Sequence, residues 1–202
     1  MQPMLRWLLL LFLALLSSCS TSPPRNLDSS CAIFREKDDW YDATQDVYKR
    51  WGVPPHVQLA IIYQESHFKY DAKPPRDHLL WVIPWFRKSS AYGYAQVKDG
   101  TWDWYKENTG NWGADRDDFE DAVDFIGWYG HVAHEKLGIS KWDAYRLYLA
   151  YHEGLGGYKR KTYLRKRWLI GVARKVKARA QRYRAQLASC KDELESWHLW
   201  PF

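Results

Sequence analysis

Pro54-Pro55-His56-Val57-Gln58-Leu59-Ala60-Ile61-Ile62-Tyr63-Gln64-Glu65-Ser66 is the stretch on which the fold turns. Proline fits the first position of a helix, where no backbone donor is needed, so the Pro-Pro pair predicts a helix start. Val57, Leu59, Ala60, Ile61 and Ile62 form an apolar surface too dense for a helix lying on the outside, and predict one buried in the core. Glu65 falls near its end. Taken alone, a Glu at a helix end is most simply a surface carboxylate, so its meaning depends on the rest of the chain.

Working outward, the pattern stays helical. Asp39 is placed to cap a helix running to Trp51. Asp117 to Leu137 carries Phe119, Val123, Ile126, Tyr129, Gly130 and Ala133 on or near one stripe, with Gly138 as its stop. Ser140 followed by Asp143 resembles a start signal for a helix bearing Trp142, Tyr145, Leu149 and Tyr151. A last amphipathic helix is expected from about Trp168 to Ser189, with Leu169, Val172, Val176, Ala180, Tyr183 and Leu187 on its apolar face. There is no internal repeat and no convincing strand pattern, with room for a small β-hairpin or flap between Lys73 and Trp85. The fold class is mainly α.

Residues 1–18 read as an export signal, with Arg6 ahead of an apolar core from Trp7 to Leu16 that is short for a membrane span. Leu16-Ser17-Ser18-Cys19 looks like a bacterial lipobox, in which Cys19 is the lipidation site; an ordinary signal peptide with a chance cysteine is the alternative. An acylated Cys19 anchors the chain to a membrane, since each buried methylene contributes about 0.8 kcal/mol. Ser20 after that cysteine favours the outer membrane under enterobacteria-like sorting, giving a periplasm-facing envelope protein. Residues 19–30, rich in Ser, Pro and Asn, read as a tether. The remainder, 31–202, is enough for one domain with a substantial core. Cys31 and Cys190 are then left as one pair in a compartment that permits disulfides, and are expected to be joined, two free thiols being the alternative.

Aromatic residues make up 17% of the chain, which serves either core packing or sugar-stacking surfaces. Charge is uneven: twelve of the 30 Lys and Arg lie between Lys159 and Arg184, where there is no Asp or Glu, so the rest carries 18 basic against 24 acidic residues, a net of −6. In an exported protein such a segment suits anionic wall polymer or lipid headgroups rather than nucleic acid, or else is a solvated helix face.

Three signatures follow in order: Glu65-Ser66, then Gly93-Tyr94-Ala95-Gln96, then Ala150-Tyr151-His152-Glu153-Gly154. As an ordered set, over roughly residues 53–158, they resemble the soluble lytic transglycosylase family of peptidoglycan-cleaving enzymes, whose domain is of goose-type lysozyme-like fold. The resemblance implies that Glu65 is the single acid/base and that Ser66 holds the local turn. It implies that Gly93 lets the backbone approach the glycan, and that the Gln96 amide offers donor and acceptor to substrate or acid. Tyr151 is then expected to place its hydroxyl near Glu65. Tyr94 and Ala95 replace the usual Leu and Met, so the apolar wall is shaped differently, and His152 and Glu153 depart from the usual Asn and Ala, which alters substrate contacts. Of Ser89 and Ser90, shortly before the glycine turn where the family often places a serine that bonds the acid, Ser89 is the preferred candidate.

A glycosidic bond breaks when its leaving oxygen receives a proton as positive charge builds at the anomeric carbon. An unperturbed Glu titrates near about 4.3, so an acid working at pH 7 needs desolvation that lifts its pKa to about 6 or 7. No second carboxylate matches a conventional glycosidase. The family's chemistry does without one, because the sugar's own C6 hydroxyl attacks and leaves a 1,6-anhydro-N-acetylmuramoyl end. The resemblance implies no cofactor and no metal, and peptidoglycan glycan strands as the partner. A hydrolytic goose-type-like muramidase and an inactive wall-binding lipoprotein remain the alternatives. His131, His134 and Glu135 do not complete a zinc motif, because Gly138 holds the last position. Lys73 to Lys88 is an insertion relative to the family, with Pro74, Trp81, Trp85 and Phe86, and reads equally as an aromatic flap or a packed surface loop.

Overall fold

The computed structural model describes residues 22–74, 78–79, 83–84 and 89–196. The expected export segment, Cys19 and the insertion's Trp81, Trp85 and Phe86 lie outside them. In chain order come α1 (Ser30–Glu36), α2 (Asp38–Trp51), α3 (Pro55–Ser66), a two-residue antiparallel pair β1 (His78–Leu79) and β2 (Ile83–Pro84), and α4 (Asp99–Thr109). Then follow α5 (Phe119–Leu137), α6 (Ala144–Lys159), a 3-10 turn (Thr162–Arg165) and α7 (Arg167–Ser196). The fold is mainly α, with the small hairpin inside the insertion.

Helix α3 starts at Pro55, and every residue from Pro55 to Ile62 is buried. It touches α2, α5, α6 and α7, so its apolar residues have neighbours on all sides. Its one polar side chain at full depth, Gln58, donates to the carbonyls of Thr44 (3.0 Å) and Val53 (2.7 Å) and so ties α2 to the entry of α3. Helix α2 crosses α5 at close range, because a Cβ at Gly127 would sit 2.4 Å from Val47. Trp40 of α2 stacks on Phe119 of α5 at 3.7 Å, with Tyr94 and Phe68 packed against it.

Several boundaries differ from the sequence reading. Lys37 precedes α2 as its cap position, and Asp39 lies inside the first turn. Asp118 caps α5 by accepting from Asp121 N–H, and Gly138 follows its last residue. Asp143, rather than Ser140, caps α6 by accepting from Arg146 N–H (3.1 Å), which leaves Trp142 outside the helix. Helix α7 continues to Ser196, since Cys190 and Leu194 prolong its buried stripe.

The expected tether is shorter than residues 19–30. Asp28 pairs with Arg179 (2.8 Å), the Leu27 carbonyl accepts from the Tyr183 hydroxyl, and Gln186 bonds both Asp28 and Ser30. Residues 27–30 therefore lie docked on α7, because side chains of α7 satisfy their backbone groups. Cys31 and Cys190 are joined, closing a loop of 159 residues. Loop-closure entropy for so long a span sets an upper bound of roughly 5 kcal/mol. The paired Cys31→Ser/Cys190→Ser variant is expected to melt roughly 5–10 °C below wild type in calorimetry while keeping its helical content.

Candidate active site

Helix α3 ends with Ser66, whose hydroxyl donates to the Ile62 carbonyl (3.3 Å) one turn back. His67 (φ 53°) and Phe68 (φ 61°) then both take left-handed backbone, a conformation that costs of order 1 kcal/mol or more for each non-glycine residue. Phe68 is fully buried against Trp40, and that packing offsets the strain. The sharp exit holds the last turn of α3, and with it Glu65, against the neighbouring helices.

A cleft of about 620 Å³ opens beside this turn. Glu65 lies in its wall with Gln96 and Lys98 from the turn before α4, Trp104 from α4, and Tyr151 and His152 from α6. Burial lifts the Glu65 pKa from 4.5 to about 7, and the Tyr148 hydroxyl, donating to the carboxyl, opposes part of that rise. Burial also raises the Tyr148 and Tyr151 hydroxyls, so both stay protonated at neutral pH. Glu65 is thus an acid divided between its two protonation states near pH 7, with a tyrosine O–H aimed at its oxygens.

The residues named from sequence divide between wall and support. Glu65, Gln96, Tyr151 and His152 come together at the cleft, while Ser66, Ser89, Gly93 and Tyr94 are not part of its wall. Gly93 (φ 77°) is required by the Arg116 carbonyl, which an added Cβ would meet at 1.9 Å. Tyr94 is buried edge-on to Trp40 and Phe119, so it packs the core instead of shaping an apolar wall. Gln96 spends both amide hydrogens on the carbonyls of Ala72 (2.8 Å) and Gly93 (2.9 Å), so it offers the cleft an acceptor and no donor. Ser89 Oγ accepts from Ala91 N–H (3.2 Å), a local turn bond. The Tyr151 hydroxyl donates to the Ala95 carbonyl and fixes the glutamine turn against α6.

Tyr148 was missed by the sequence reading. It sits one helical turn before Tyr151, and residues three apart share a face, so the spacing was the available signal. Glu153 was missed as a charged group of the wall. Burial alone would raise its carboxyl, but bonds from Lys166 Nζ (2.7 Å), the Thr162 hydroxyl and His152 (3.2 Å) outweigh burial and hold it at about 2. Gly154 follows with φ 71° and ψ 161°, a region open essentially to glycine alone, and breaks α6 at the cleft. Away from the cleft, His131 Nδ1 lies 3.1 Å from Lys141 Nζ and His134 Nδ1 lies 2.9 Å from the Ile139 carbonyl. Among the described residues no three His, Cys, Asp or Glu gather as a metal site.

A carboxyl raised from 4.5 to about 7 destabilises the fold at high pH. The folded state binds the proton more tightly than the unfolded chain, so the cost is absent below pH 4.5, grows between 4.5 and 7 and is complete above, at on the order of 3 kcal/mol. Denaturant midpoints of Glu65→Gln and wild type are expected to coincide near pH 4 and to separate through pH 7, the variant being the more stable. A constant difference would mean that Glu65 is solvated.

A match to a known domain family agrees with this architecture. The sequence model of the transglycosylase SLT domain matches residues 7–190. Among curated proteins, none matches the chain. Covered from its first apolar segment to the late turns of α7, the chain belongs to the transglycosylase SLT domain family.

Proposed function

We propose that the protein cleaves the β-1,4 bond between N-acetylmuramic acid and N-acetylglucosamine, leaving a 1,6-anhydromuramoyl end. Its coarser part, a lytic transglycosylase acting on peptidoglycan, follows from the family. One observation carries the finer reading: an acid with pKa about 7, buried in the wall of a cleft and addressed by a tyrosine hydroxyl.

In this reading neutral Glu65 gives its proton to the glycosidic oxygen as the bond to the anomeric carbon breaks. The ionised carboxylate, accepting from Tyr148, then takes the proton of the muramoyl C6 hydroxyl. O6 closes on the anomeric carbon, and Glu65 is neutral again. Because attacker and target belong to one sugar, orientation lowers the barrier in a way that attack by water does not. Tyr151 and Gln96 serve as positioning residues for the wall.

Hydrolysis is the second reading, favoured by Glu153, an ionised carboxylate in the same cleft. Its oxygens are taken by Lys166, Thr162 and His152, which leaves it poorly equipped to activate water. Mass spectrometry of digested sacculi separates the two, since anhydro ends are lighter than hydrolytic ends by one water.

Anchoring through Cys19 at the outer membrane is part of the same proposal. The seven residues from Ser20 to Asn26, ahead of the docked segment, reach at most about 25 Å when extended, so an acylated Cys19 would keep the domain near the bilayer.

Loss of the acid in Glu65→Gln is expected to lower lysis of sacculi by roughly 10²–10⁴-fold in turbidity assays. The wild-type rate should fall as pH rises through about 7, where the acid ionises. Tyr148→Phe removes the bond that favours the carboxylate, so that falling limb should move to higher pH and the maximal rate drop about tenfold. An unmoved limb would exclude Tyr148 from tuning the acid.

A further inference from the structure

A second cavity, of about 290 Å³, lies between the start of α6 and the middle of α7. His56, Ser140, Trp142, Lys177, Gln181 and Arg184 are in its wall, and none of them lines the cleft of Glu65. Helix α6 joins the two openings, with Ala144 beside one and Glu153 beside the other, on the order of 14 Å apart at 1.5 Å per residue.

Trp142 is 48% exposed, less than Trp112 or Trp168, and is set apart by lining this cavity. It is held in place: Tyr48 meets it edge-on at 6.0 Å, His56 lies 5.3 Å away, and the Arg184 guanidinium sits 5.2 Å from its ring centre. Arg184 and Lys177 are exposed, and among the described residues neither pairs with a carboxylate. Asp143 in the wall is already occupied, capping α6 through Arg146 N–H and facing the Arg146 side chain at 3.5 Å. Burial and the nearby Arg184 lower His56 to about 4, so at neutral pH it is an uncharged imidazole able to donate or accept.

This is a fixed indole beside two cations that pair with no carboxylate among the described residues, Arg184 resting by the indole itself, with hydroxyl, amide and imidazole groups around them. An indole takes the apolar face of a sugar ring, and paired Arg and Lys take a carboxylate. A polymer that joins sugars to carboxylate-bearing peptides presents both. We propose that this cavity is a second binding site for peptidoglycan, taking a sugar ring on Trp142 and a stem-peptide carboxylate between Lys177 and Arg184. The assignment rests on the peptidoglycan reading above. Its benefit is bivalency: a strand held here keeps the cleft at high effective concentration of the same polymer after each cut.

The test uses the detergent-solubilised full chain carrying Glu65→Gln, depleted from solution by isolated sacculi. Trp142→Ala and the pair Lys177→Glu/Arg184→Glu are each expected to weaken binding at least about fivefold. The charge-matched pair Arg174→Glu/Lys175→Glu, off the cavity on the same helix, should change it by less than about twofold. Stripping stem peptides with an amidase should remove the effect of the Lys177/Arg184 pair and spare that of Trp142. With Glu65 intact, the cavity variants should cleave short soluble glycan fragments at the wild-type rate. Equal loss in the control pair would reduce the site to diffuse charge attraction and overturn the proposal. So would binding indifferent to amidase, or tighter Trp142-dependent binding to anionic lipid vesicles than to sacculi. If Glu65→Gln still lyses sacculi while these binding differences hold, the catalytic reading falls and the second site stands.

Discussion

A carboxyl kept from water holds its proton more tightly, and here that burial falls on the last turn of α3. The helix is surrounded on every side, so the group at its end inherits an apolar environment without a dedicated pocket of its own. Much of the remaining architecture serves this one burial. The left-handed exit at His67 and Phe68, the stack of Trp40 on Phe119, and the close crossing of α2 over α5 all hold the end of α3 in place.

Two carboxyls of the cleft show how environment, rather than residue type, assigns roles. Glu65 meets apolar neighbours and a tyrosine hydroxyl, and it gives up its proton only near pH 7. Glu153 meets a lysine, a threonine hydroxyl and a histidine, and its proton is lost far below that. The first is poised to exchange a proton. The second acts as a strut that binds the broken end of α6 to the 3-10 turn and the start of α7.

Local chemistry made much of this legible in the sequence. The Pro-Pro start, the dense apolar run through Ile62, Gly138 and the Cys31–Cys190 pair each depend on neighbours in sequence or on simple counting. What stayed hidden depends on distant partners. Tyr94 looked like a cleft residue because its motif sits there, yet its true neighbours, Trp40 and Phe119, lie 54 and 25 positions away. Tyr148 and Tyr151 share a helix face, and only the position of α3 decides which one reaches the acid. Gly93 is pressed by the backbone of Arg116, 23 positions away, a contact that no neighbour in sequence announces.

The covalent link between Cys31 and Cys190 has a mechanical meaning. If the chain is held by its start and pulled by a strand gripped in the cleft, tension arriving at Cys31 divides. One branch follows the backbone through α1 and α2 into α3, and the other crosses the sulfur bridge to the far end of α7. Two parallel load paths share the force, so the turn that shelters the acid is not the sole element in series between an anchor and a taut wall.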